Sequence, residues 1–139
     1  MGLSSLPVVV LVESDPLVRY GYSVLVGDWG YEVIARASTG EAAEAVASMG
    51  RSVGALVLGH DVAMAEDGLS SAAALVRHLG GVPVAIIAGR LQRDILDRAT
   101  SLHFIVLSEA AEPDQLQEWL RASLTASVAI DEIRGQPAA

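Results

Sequence analysis

Short, continuously apolar runs alternate along this chain with longer stretches in which apolar residues recur at helical spacing. The runs are VVVLV (Val8–Val12), YEVIAR (Tyr31–Arg36), GALVLG (Gly54–Gly59), VPVAIIA (Val82–Ala88) and FIVL (Phe104–Leu107). Their length and β-branched content predict strands, and the unbroken ones predict strands covered on both faces. The stretches between them predict helices. Asp15 is a natural N-cap and Pro16 a natural first helical residue, so a helix starts there, carries Leu17, Val24 and Leu25, and ends near Gly27-Asp28. Ser38-Thr39-Gly40-Glu41 has capping-box spacing and opens an Ala-rich helix that reaches about Ser48. Asp61–Asp67 reads as a loop. A helix follows over Gly68–Arg77, with Leu69, Ala72, Ala73 and Val76 on one face, and Gly80-Gly81 ends it. Leu91, Ile95, Ala99 and Leu102 mark a shorter helix. Glu112-Pro113-Asp114 opens the last one, which carries Leu116, Trp119, Leu120 and Leu124.

Strictly alternating strands and helices imply a parallel sheet covered on both sides. Right-handed crossovers then favour a flavodoxin-like (βα)5 doubly wound sheet of strand order 2-1-3-4-5. The expected domain covers residues 7–128, with flexible termini at 1–6 and 129–139. In such a sheet the site lies at the carboxyl ends of the strands. Those ends bring Glu13-Ser14, His60-Asp61, Ala88 and Glu109 toward one crevice.

Composition narrows what that crevice can do. The chain has 139 residues, enough for one domain with a core of its own, and its 52% apolar but only 4% aromatic content implies a core of Val, Leu, Ile and Ala. A net charge of -8 with no basic run argues against a nucleic-acid or anionic membrane surface. All nine positive charges are Arg and there is no Lys, which excludes any chemistry that needs a lysine ammonium. The lack of Cys excludes disulfides, thiolate metal sites and Cys nucleophiles. The first residues carry no basic leader, and the first apolar run is too short to span a membrane. A cytoplasmic location is expected, and no nucleophile–base pair marks an enzyme.

The segments VVVLVESDPLVR, WGYEVIARASTGEAAEAV, ALVLGHDVAMAEDGL, VPVAIIAG and FIVLSEAAEPDQL together resemble response-regulator receiver domains, especially those attached to hybrid sensor kinases. The likeness covers roughly Pro7 to Leu124. It implies phosphoryl transfer from a partner's phosphohistidine to an Asp, with Mg²⁺ held by an acid pair and the acceptor, and with a Ser or Thr and a Lys binding the phosphoryl oxygens. A dianionic group cannot approach clustered carboxylates without such cations. This sequence departs from the pattern. The acid pair falls on Glu13-Ser14, the hydroxyl position on Ala88, and the lysine position on Glu109, followed by Ala110. The acceptor position falls on His60 if the usual spacing to the loop glycine, Gly68, is kept, and on Asp61 if the loop is one residue shorter. Under either register the resemblance implies a degenerate, pseudo-receiver site, and no catalytic residue is assigned.

The crevice admits several readings. The plainest is that His60 hydrogen-bonds Glu13 or Glu109 and fills the former phosphate site, with no cofactor. A transition-metal site could use His60, Asp61, Glu13 and Glu109, and a rearranged Mg²⁺ site with Asp61 as phosphoacceptor would use Glu13, Asp15 and Asp61. Phosphorylation of His60 itself, or a small anion bound near Arg90, completes the set. The expected role is signalling by protein contact, with a histidine kinase or an output domain as partner. In receivers the fourth helix, fifth strand and fifth helix form the partner or homodimer face, here carrying Val106, Leu116 and Trp119. His78 and His103 are expected to be solvated or capping.

Overall fold

All five apolar runs become strands: β1 (Val8–Val12), β2 (Glu32–Arg36), β3 (Ala55–Gly59), β4 (Val84–Ala88) and β5 (Ile105–Ser108). The computed structural model describes residues 6–108 and 113–135, with side chains of the last helix described through Leu124. The strands form one parallel sheet of order β2-β1-β3-β4-β5, as the alternation of elements implies. The three central strands, β1, β3 and β4, are buried at every position. The edge strand β5 is not, and Ile105 is 46% exposed.

The pleat divides the core in two, because successive side chains point to opposite faces. Val8, Val10, Val12, Leu56, Leu58, Val84 and Ile86 face one way. There they meet Ala42 of α2 (Thr39–Ala47), Leu69, Ala72 and Leu75 of α4 (Gly68–His78), and Ala99 of α5 (Arg93–Ser101). Val9, Leu11, Ala55, Val57 and Ile87 face the other way. They meet Val26 of α1 (Pro16–Asp28) and Leu116, Leu120 and Leu124 of α6 (Asp114–Gly135).

The helix starts follow their cap signals. Asp15 is extended, and its Oδ1 accepts from the amides of Leu17 (2.9 Å) and Val18 (3.2 Å). Ser38 Oγ accepts from the Glu41 amide at 3.2 Å and donates to the Glu41 carboxylate at 3.1 Å. His103 takes the left-handed conformation (φ 63°) that ends α5, its amide donating to Thr100 O at 2.9 Å, so its role is in the backbone.

One expectation needs correction. The loop predicted over Asp61–Asp67 begins instead as a short helix, α3 (His60–Met64), which places Ala63 in the core. A five-residue helix with no side-chain cap carries no periodic signal that a sequence pattern can register. The last helix, opened near Asp114, continues to Gly135. On α1, Leu17 (82% exposed) and Val24 (45%) point outward, and Val26 is the buried anchor. No helix among the described residues is long and apolar enough to cross a membrane.

Candidate functional site at the strand ends

The carboxyl ends of β1, β3 and β4 open into a cleft of about 520 Å³ lined by Glu13, Asp15, Val18, His60, Asp61, Gly89 and Arg90. Glu13 follows β1 directly and is only 7% exposed, the one buried charged residue among those described. Its Oε2 accepts the Asp15 amide at 2.9 Å, and its own amide donates to Arg36 O at 3.0 Å. Its carboxylate lies against Gly59, where a Cβ on that residue would sit. The turn after β1 is held from outside, because Arg19 Nη1 donates to the carbonyls of Glu13 (2.8 Å) and Ser14 (3.5 Å). Arg19 has no sequence signature, since its partners are backbone carbonyls and not a recognisable side chain.

His60 is the first residue after β3, and both His60 and Asp61 line the cleft. His60 Nδ1 is buried, and among the described residues it has no hydrogen-bond partner. The expected bond from His60 to Glu13 is therefore absent at that atom, because the Glu13 carboxylate is turned to the Asp15 amide and Gly59. Asp61 is exposed in the first turn of α3. Ser14 is exposed and does not line the cleft, and Ala88 is 1% exposed at the end of β4. Glu109, and with it the lysine position of the resemblance, lies outside the described residues, as do Ala110 and Glu112. The structure thus brings together Glu13, Asp15, His60 and Asp61, with Arg90 at the rim.

The residues do not fit the Mg²⁺ that the resemblance implies. Asp15 Oδ1 serves the first amides of α1 and Glu13 Oε2 serves Asp15, so both carboxylates already have a structural task. Among the described residues no group of three His, Cys, Asp or Glu side chains is placed to hold an ion; the Zn²⁺ or Mn²⁺ reading also calls on Glu109, which lies outside them. For an incoming phosphoryl group the cleft presents carboxylates and one cation, Arg90, which among the described residues makes no ion pair.

Gly68, the glycine used to set the register, has a packing role. A Cβ there would strike the carbonyl oxygen of Val62 and crowd that of Ala63, so α4 can start against α3 only with glycine at this position.

The residues proposed for a partner face are placed differently from one another. Leu116 is 4% exposed and belongs to the core, so it is corrected from interface to packing. Trp119 and Val106 are half-buried and pack against the two core clusters. The exposed large apolar side chains of that region are Leu96 (36%), Leu102 (38%) and Ile105 (46%).

No family model matches this sequence, and no curated protein matches it. Solved structures do. The chemotaxis protein CheY4 of Vibrio cholerae is 18% identical, with 86% of this chain and 99% of that one covered at a TM-score of 0.71. A response regulator receiver domain protein from Clostridium thermocellum is 14% identical, with 90% and 99% covered at 0.73. A response regulator receiver protein from Burkholderia phymatum is 20% identical, with 86% and 95% covered at 0.70. The chain has the receiver fold.

Proposed function

We propose that this chain is a receiver-fold signalling module of the two-component type that acts through protein contacts and is not phosphorylated in the usual way. The content of the strand-end cleft carries this reading. His60 stands directly after β3, Glu13 is committed to the Asp15 amide and Gly59, Ala88 has no hydroxyl, and no Lys exists to meet a phosphoryl oxygen. Losing one preorganised electrostatic partner typically costs on the order of 10²–10³ in rate, and here several are gone together. The module works in the cytoplasm, with a histidine kinase or an output domain as partner. Exposed Leu96, Leu102 and Ile105 on α5 and β5 give it an apolar contact surface, which would also serve a homodimer.

A second reading, phosphorylation of Asp61, has one observation in its favour: the carboxylate is exposed and lines the cleft. Incubation with acetyl phosphate and Mg²⁺, read by intact mass, separates the two. No adduct is expected. An adduct lost in Asp61→Asn would establish the second reading, and one lost in His60→Gln would make the imidazole the acceptor. A third reading, a small-ligand sensor near Arg90, predicts saturable shifts of cleft amides on titration with a small anion.

A further inference from the structure

A second concavity lies away from the strand ends, between α4 and α5. It has a volume of about 450 Å³ and is lined by Ser70, Ala73, Arg77, Arg98, Ser101 and Leu102. The chain carries 17 acids against nine arginines, yet two of those arginines line this groove with no acid in the lining. Helix α4, GLSSAAALVRH, contains no acidic residue at all. Among the described residues neither Arg77 nor Arg98 forms an ion pair.

Arg77 and Arg98 stand in the last turns of α4 and α5, where each complements a helix C-terminus. That role explains a cation at each helix end, and the two also line the same groove. Arg98 Nη2 reaches across to the neighbouring helix and donates to Ser70 Oγ at 3.3 Å. The hydroxyl therefore acts as acceptor for the guanidinium, and its own proton is left to donate to a third group. Two guanidinium forks and the Ser70 hydroxyl form a set of donors beside an apolar wall of Ala73 and Leu102, while the Ser101 hydroxyl already donates to Asp97 O at 3.0 Å. Planar guanidinium groups match phosphate oxygens in bidentate geometry.

We infer that the groove between α4 and α5 binds a small organic phosphate monoester, its dianionic head between Arg77 and Arg98 and its apolar body against Ala73 and Leu102. The site is separate from the strand-end cleft and shares no lining residue with it, so it stands whether or not Asp61 is ever phosphorylated.

The test is an ¹H–¹⁵N NMR titration of the whole chain at constant ionic strength with phenyl phosphate, inorganic phosphate and benzoate as probes. Saturable shifts are expected at residues 70–77 and 98–102, with phenyl phosphate binding several-fold tighter than inorganic phosphate and benzoate weakest. Arg77→Gln and Arg98→Gln should each weaken phenyl phosphate by about tenfold or more, the range for losing a charge-assisted hydrogen bond. Arg98→Lys keeps the charge and removes the fork, and is expected to weaken binding several-fold on an unchanged fold. Absence of saturable shifts at these residues, benzoate binding as tightly as phenyl phosphate, or binding unaffected by the arginine substitutions would each overturn the inference. Shifts confined to Glu13, His60 and Arg90 would overturn it too, by placing the anion at the strand ends.

Discussion

The carboxylate of Glu13 fills the space beside Gly59 that a side chain there would need. Glu13 follows β1 and Gly59 ends the adjacent parallel strand β3, so the content of one position limits the other. Gly59→Ala is expected to push the carboxylate away from the Asp15 amide and cost about 1–3 kcal/mol, the range for overpacking a filled site. Because the neighbour is a side-chain tip, removing it should relieve the clash. Urea unfolding of Gly59→Ala, Glu13→Ala and the double variant should give a double-variant loss smaller than the sum of the single ones. Strict additivity would show that the contact carries no energy.

Gly68→Ala has a different neighbour. Its Cβ would meet the Val62 carbonyl, which is backbone and cannot rotate aside. Alanine gains up to about 1 kcal/mol of helix propensity, and overpacking costs about 1–3 kcal/mol, so a net loss is expected. Thermal unfolding measures it, and a rise in Tm would mean that α3 yields.

Asp15 makes two hydrogen bonds to the first turn of α1. Asp15→Ala should lower stability by about 1 kcal/mol in denaturant unfolding, and Asp15→Asn should retain most of it. If both variants lose equally, the carboxylate charge and not the cap is what α1 requires.

Leu116 and Ile105 should separate core from contact surface. Leu116→Ala removes a buried side chain and should cost about 2–5 kcal/mol. Ile105→Ser, at an exposed edge position, should change stability by no more than about 0.5 kcal/mol. Under the proposed function it should nonetheless weaken self-association or partner binding, measured by sedentation-equilibrium or surface-capture assays. A large stability loss from Ile105→Ser would place β5 in the core instead.

Under the proposed function, placing the receiver pattern's groups in the cleft should create a phosphoryl-analogue site. A combined variant carrying Ser14→Asp, His60→Asp, Ala88→Thr and Glu109→Lys is expected to bind beryllofluoride with Mg²⁺, detected by ¹⁹F NMR, while the parent chain shows no such signal. Binding by the parent would contradict the proposed function.

The sequence by itself determined the strands, their order and the caps. Short unbroken apolar runs alternating with helices call for a parallel sheet covered on both faces, and Asp15-Pro16 and Ser38 fix helix starts through local hydrogen bonding. It also determined that no lysine is present. Tertiary structure decided the rest, for reasons of packing. A stripe of Leu116, Trp119 and Leu120 marks an apolar face but does not say whether a sheet or a partner covers it; here the sheet buries Leu116 and Leu120 and leaves Trp119 half-covered. The outward Leu17 and Val24 of α1 make the same point in reverse. Glu13 against Gly59 and Arg98 reaching Ser70 join residues far apart in sequence. Such contacts exist only once the strands and helices have been brought together, because no local pattern of residue types encodes a distance between two elements.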